Sequence, residues 1–398
     1  MGSMAPGDSS GDRDAGALPA DACDTVERAL LREQVLRFVA REVEPQADRW
    51  ERDGSVPREV LRRIGELGWL GLMVPGAWGG AEGDAITNYV FAEALSQSTY
   101  GGFVVTVLVH TDMASPHLVH AGTDEQKRRW LPGIVSGEVL TAVAVTEADA
   151  GSDVARIRTS ARRDGDAFVL DGSKMFITNG VNADLYFVAA RTAPLQTGAR
   201  GISMFCVERG APGFRIGQVL DKSGWRSSDT AELVFDGCRI PAAQMLGAEN
   251  QGFFALMRNF QRERLALAAM AIGNARSALR LALEHVKSRR AFGGVLWDRQ
   301  AIRQRLASLD ARTQAARSFA LHCAWLSAQG RDCVREMSGL KALCGELAND
   351  VAYACQQFHG GMGYIREAPI ERLWRDARIL AIGGGATEVM LEEAAKRL

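Results

Sequence analysis

The sequence predicts a mainly α-helical chain with one β-domain in its middle, and three observations carry that expectation. Apolar residues recur at helical spacing through much of the first 138 residues. Near Leu140 the texture changes to short runs rich in β-branched and aromatic residues. These are Ala167 to Leu170, Leu185 to Ala190, Ile202 to Val207 and Glu232 to Phe235, punctuated by Asp164-Gly165, Asp171-Gly172, Asn179-Gly180 and Asp236-Gly237. That is the grammar of an antiparallel sheet or small barrel. After Gly252 long helical periodicities return. The expected divisions are a disordered tail over 1–20, a helical domain over 21–138, an antiparallel β-domain over 139–248 and a helical domain over 249–398.

Taken in order, the first twenty residues are rich in Gly, Ser, Asp and Pro, without the apolar stretch or basic amphipathic pattern of a targeting signal. Asp24 to Trp50 reads as an amphipathic helix carrying Leu30, Leu31, Leu36, Phe38 and Val39 among charges. Pro57 suits the first turn of a helix through Ile64 and Leu67. Val74 to Gly80 is a loop, Ala85 to Ala121 is helical up to Gly122, and Asp124 opens a short helix to Leu131. Beyond the strands, helices are expected over Phe253 to Arg289, Asp298 to Ala328, Arg335 to Gln357 and Thr387 to Lys396.

Composition narrows the function. Lys and Arg total 47 against 48 Asp and Glu, a balance that argues against nucleic acid or an anionic membrane as the main partner. No apolar run is long enough to span a bilayer. The seven cysteines contain no C-x-x-C and read as reduced residues of a cytoplasmic protein. His117 and His120 are helical neighbours without an evident third ligand, so no metal is expected. No G-x-G-x-x-G joins a strand to a helix, which speaks against a Rossmann fold.

Four stretches carry possible chemistry. Ala144 to Asp153 runs from a strand end into small and hydroxyl residues whose backbone N–H groups could meet a flat polar ring; a β-turn explains it equally well. In Lys174 to Gly180, Phe176 and Thr178 lie two apart on one strand face, placed to flank a ring, or simply forming a hairpin arm. Arg289 and Arg290, with Phe292 and Gln300 beyond, could neutralise a pyrophosphate; a basic helix end favoured by the helix dipole is the plainer reading. Gln357 to Tyr364, followed by Glu367, Arg372 and Asp376, offers paired glycines to an anion, or a helix C-cap.

In order and spacing these four stretches resemble the acyl-CoA dehydrogenase family, from about residue 24 to 398. The first follows one family signature until Arg156, which replaces a small residue; the fourth follows the other from Gln357 to Asp376. Leu246 to Phe253 adds colinear context. The resemblance implies an N-terminal helical domain, a middle β-domain and a C-terminal four-helix bundle, assembled as a tetramer with a dimer as the minimum. It implies FAD, with Val145, Thr146, Ser152, Phe176, Ile177 and Thr178 near the flavin. Arg289, Phe292, Gln300, Gln357, Gly360 and Gly361 would reach FAD largely across a subunit interface, with Thr387 and Glu388 also among the cofactor contacts. An electron-transfer flavoprotein is the implied acceptor.

The family's common catalytic glutamate lies in a Y-E-G-T motif, and here that segment is Gly383-Gly384-Gly385-Ala386-Thr387, with Gly384 at the base position. Isovaleryl- and long-chain-type members carry the base in an E-R-L motif after the β-domain, where this chain has Glu263-Arg264-Leu265. Glu263 has Leu256, Asn259, Phe260, Ala266, Leu267 and Met270 on its helical face, a largely apolar setting that raises a carboxyl's pKa toward that of a useful base. The Gly384 N–H would join a flavin hydroxyl in polarising the thioester carbonyl. Ser152, Gln261, Arg264 and Gly385 would meet the substrate, an acyl-CoA or an acyl group on a carrier protein. The competing expectations are a flavin oxidase or monooxygenase on the same fold, and a non-catalytic flavin-binding subunit.

Overall fold

The structure is a computed structural model and describes residues 25–398; the expected tail over 1–20, with Cys23, lies outside the described residues. The N-terminal domain opens with α1 (Val26–Phe38), whose start is capped by the Thr25 hydroxyl accepting the Arg28 N–H. The single helix expected to Trp50 is two: a wide turn over 39–43 and Pro45 separate α1 from α2 (Ala47–Asp53). α3 (Arg58–Glu66) follows directly after Pro57.

The stretch expected to be one helix from Ala85 to Ala121 is likewise divided. α4 (Ala85–Leu95) stops at Ser96, and α5 (Gly101–Leu108) leads through a π-turn into α6 (Ser115–Ala121). Ser98 and Thr99 bridge that break by donating to Glu44 of the preceding turn, at 2.7 Å each. α7 (Asp124–Ser136) begins with a Thr123/Gln126 capping box and runs through Pro132, past its expected end at Leu131. Burial of Trp130, Leu131 and Ile134 on one face offsets the proline's cost.

The β-domain comprises β1 (Thr141–Ala144), β2 (Ser160–Asp164), β3 (Ala167–Thr178), β4 (Leu185–Arg191), β5 (Ile202–Glu208), β6 (Phe214–Val219), β7 (Thr230–Pro241) and β8 (Met245–Leu246). The sheet order is β6-β7-β3-β2-β4-β5-β8, with β1 beside β4. Most pairs are antiparallel as expected, but β1 and β2 both meet β4 in parallel. β1 enters the sheet from α7 and is buried on both faces, as is every residue of β4, the usual environment of parallel pairs. Alternate β4 residues feed two cores. Leu185, Phe187 and Ala189 meet the N-terminal helices, whereas Tyr186, Val188 and Ala190 fill the sheet's other side.

α8 (Gly252–Ser288) is the spine of the molecule, 37 residues and so about 55 Å long. A two-residue hairpin, β9 (Arg290–Ala291) and β10 (Gly294–Val295), turns the chain into α9 (Gln300–Ala328). α10 (Val334–His359) packs along α8, and α11 (Pro369–Ala377), absent from the sequence expectation, leads to α12 (Thr387–Ala395). The helical domains share one continuous apolar core that includes α4, α5, α8 and α10. Asp376 ties all three domains together, accepting the Gly101 N–H at 3.0 Å and the Trp225 N–H at 2.6 Å. Arg372 donates to the Thr99 carbonyl and stacks on Tyr100. These two signature residues are structural fasteners.

Candidate active site

α8 presents Glu263 from an apolar face: Leu256, Asn259, Ala266, Leu267 and Met270 are all buried. Glu263 is itself partly buried, and that burial pushes its carboxyl up to about 7 against the opposing pull of Arg264 and Lys341. Gly384 faces it from the turn before α12. A Cβ placed on Gly384 would stand 3.4 Å from Oε1 of Glu263. The two positions therefore converge on one point in space, although they come from distant parts of the chain.

The turn demands glycine at 384. Its φ is +62°, and a Cβ there would come within 2.0 Å of Leu267 Cδ1. Among the described residues, the N–H groups of Gly384 and Gly385 have no hydrogen-bond partner. They are free donors beside a carboxyl of raised pKa, an arrangement suited to polarising a carbonyl while a neighbouring C–H is deprotonated.

Lys341 of α10, which sequence reasoning missed, is buried beside this pair and donates to the Gly385 carbonyl. Its signal was present: a charge set among the apolar residues Met337, Leu340, Ala342 and Cys344 of α10. Arg264 is buried too, donating to Ser338 Oγ of α10 at 3.2 Å while its Nε lacks a partner. Oε1 of Gln261 is also buried without one.

The first two stretches meet at the β1 end. The Met175 N–H bonds to the Thr146 carbonyl at 2.8 Å. Lys174, fully buried, donates to the Val145 carbonyl at 3.0 Å and to Glu147 at 2.7 Å. Burial brings Lys174 down to about 8 in spite of Glu147. Glu147 stays below the usual carboxylate range, because Lys174 and the Arg158 and Thr159 N–H groups outweigh its own burial. A bulge between Lys174 and Ile177 turns Phe176 into the left-handed region (φ +62°) and leaves it 64% exposed, while Ile177 is buried and Thr178 partly so. Val145 is buried, Thr146 partly buried, and Ser152 exposed on the following loop.

The other two stretches meet elsewhere. His285, one turn before Arg289, stacks on His359 with ring centroids 4.3 Å apart, joining the ends of α8 and α10. Around this junction Arg289, Gln300 and Gln357 are exposed, and Phe292 (φ +52°) is 91% exposed. A Cβ at Gly361 would meet nothing within 4 Å; Gly360 is equally open, but its φ of +59° already favours glycine. Arg289, the residue that caps the end of α8, lies 26 residues beyond Glu263, about 39 Å away. Within one chain the two clusters are therefore far apart. Near the first, Thr387 is buried at the start of α12 and Glu388 is exposed in its opening turn, after an Ala386 that offers no capping oxygen.

Known proteins match this chain in sequence and fold. Profiles for the N-terminal, middle and C-terminal domains of acyl-CoA dehydrogenase match residues 25–138, 142–238 and 250–398. The mitochondrial long-chain specific acyl-CoA dehydrogenase of Mus musculus is 39% identical, over 94% of this chain and 86% of its own length. The crystal structure of an acyl-CoA dehydrogenase from Geobacillus kaustophilus superposes with a TM-score of 0.91 at 37% identity, covering 94% and 99% of the two chains. The prolyl acyl carrier protein oxidase AnaB superposes at 0.89 with 26% identity, covering 94% and 99%. Fold and relatives together define a flavoprotein oxidoreductase class acting on CH–CH bonds. The chain belongs to the acyl-CoA dehydrogenase family.

Proposed function

We propose that this protein is an FAD-dependent α,β-dehydrogenase of acyl thioesters in which Glu263 takes the α-proton and the product is the trans-2-enoyl thioester. The observation that carries the reading is the convergence of Glu263 Oε1 on the side-chain position of Gly384, at 3.4 Å. A carboxylate from α8 occupies the space that a side chain at 384 would enter. Its pKa near 7 leaves a useful ionised fraction at neutral pH together with appreciable basicity.

The residues present fit FAD. Exposed Phe176 on its bulge, with Thr146 and Thr178, suits the flavin ring. Arg289, Gln300 and Gln357, whose side chains bond to nothing among the described residues, suit the pyrophosphate and its surroundings. Bound FAD would accept the β-hydride at N5. Since Glu263 and Arg289 are about 39 Å apart, the half-sites must be completed by a second copy, and we assign a homo-oligomer with a dimer as its minimum. In each site the Gly384 N–H would hold the thioester carbonyl while Glu263 takes the α-proton. Proximity of these groups supplies much of the rate. The acceptor in this reading is an electron-transfer flavoprotein.

The acyl group rides on CoA or on a carrier protein. Arg156, exposed at the loop after Ser152, adds positive charge where an acidic carrier or a CoA phosphate would approach. Mixing the flavin-loaded protein anaerobically with a panel of acyl-CoA esters and acyl carrier proteins tests both points. Flavin bleaching by at least one thioester is expected. Bleaching by none overturns the function, and rapid reoxidation by O₂ after bleaching assigns an oxidase.

A further inference from the structure

We propose that Lys341 is a positioning residue for proton abstraction: its buried ammonium fixes the Gly384–Gly385 turn through the Gly385 carbonyl and presents positive charge to the Glu263 carboxylate. The proposal rests on the reading of Glu263 as the base.

Lys341 is 2% exposed and makes one hydrogen bond, to Gly385, and among the described residues no carboxylate lies within salt-bridge distance of it. Burying an ammonium with so little direct compensation is costly, and an apolar side chain on this face of α10 would avoid that cost. The charge therefore needs a reason. The groups that face it are Glu263 and Arg264 from α8, Glu388 from α12 and the Gly385 carbonyl from the turn between. Glu263 heads the charges acting on Lys341, and Lys341 in turn favours ionised Glu263. Arg264, next to Glu263 on α8, donates to Ser338, one turn before Lys341 on α10.

The turn needs an anchor. Gly384 and Gly385 both have positive φ, +62° and +102°, and two adjacent glycines have little torsional preference of their own. The Gly383 N–H bonds back to Ile379, and the Met390 N–H bonds to Ala386. Side chains hold two carbonyls of this stretch: Thr387 Oγ1 donates to Ala381 at 3.4 Å, and Lys341 donates to Gly385, the carbonyl beside the unpartnered Gly384 and Gly385 N–H groups. Restraining the peptide after Gly385 limits rotation of its neighbours, and so aims the Gly384 N–H at the substrate carbonyl. Lys341 would thus set both halves of the step, the direction of the donor and the charge state of the base.

The test uses Lys341→Met, Lys341→Arg and Glu263→Gln in the flavin-loaded protein. One readout needs no turnover: the protonated-carboxyl infrared band that disappears in Glu263→Gln, followed against pH. In the wild type its midpoint is expected near 7. Lys341→Met should raise it by about one unit, the low end of what a nearby opposite charge produces. It should also slow anaerobic flavin reduction by about tenfold or more with FAD content unchanged, and move the acid limb of kcat/KM upward by the same unit. Lys341→Arg should leave the midpoint in place. Lys341→Gln removes the same charge and serves if the Met variant misfolds. An unmoved midpoint in a folded, flavin-replete charge-removing variant overturns the proposal. If Glu263→Gln has meanwhile lost its activity, the base assignment survives that result. Wild-type bleaching by Glu263→Gln sinks the base and this proposal with it.

Discussion

Replacing Glu263 by Gln should cripple the enzyme and stabilise the fold, and the two effects can be measured separately. Gln keeps the size of the side chain and much of its hydrogen bonding but accepts no proton. Loss of a general base costs roughly 10²–10⁴-fold in rate, with binding largely kept. The stability effect follows from the raised pKa. The fold favours the neutral carboxyl, so the stability it contributes is full below the ordinary value of 4.5 and is lost as pH rises through about 7. A shift of that size corresponds to about 3 kcal/mol as a ceiling at pH 8, and solvent reaching this partly exposed group reduces it to about 1–2 kcal/mol. For a chain of this length that is a rise in Tm of roughly 2 °C for Glu263→Gln at pH 8, with much less at pH 5. Stopped-flow anaerobic bleaching and thermal melts at the two pH values make the measurement. Bleaching at the wild-type rate would refute the base. A Tm difference independent of pH would refute the buried, high-pKa environment.

The remaining expectations concern the same elements. Moving the carboxylate, in Glu263→Ala with Gly384→Glu, should restore only part of the lost bleaching, because φ at 384 is +62° and a Cβ would strike Leu267 Cδ1 at 2.0 Å. Adding Leu267→Ala should improve the rescue, and no gain would show that the clash is not the obstacle. Arg289→Ala should lower FAD occupancy and loosen the oligomer together on gel filtration; full flavin retention through the column would remove Arg289 from the cofactor site. Lys174→Met should cost about 3–5 kcal/mol by stranding Glu147, 11% exposed, without its partner. A melt within a degree of wild type would show that the clasp between the β1 end and β3 carries little stability.

What the sequence indicated by itself was the kind of most elements, α11 excepted, and a candidate for the base. Helical periodicity and Asp-Gly punctuation are local signals, so the order helical, β, helical was legible, as was a carboxylate on an apolar stripe at 263; that 384 lacks the family's common glutamate came from the resemblance. Local signals also misled where a few residues break a pattern, as at Pro45 and Ser96, and where burial carries a helix through Pro132. Tertiary structure alone decided which distant positions meet. No periodicity says that Gly384 would aim at Glu263, that Lys341 would reach the Gly385 carbonyl, or that β1 would pair with β4 in parallel. Nor could it say that the bulge before Ile177 would turn Phe176 outward. The separation of the half-sites along α8 was different. The count of residues was in the sequence, but its meaning in ångströms required the helix to run unbroken from Gly252 to Ser288. Periodicity reports which face of an element is apolar. The register at which two such faces lock depends on side-chain shape at the contact and on where the intervening chain lets them meet, and that register is what assembles a site.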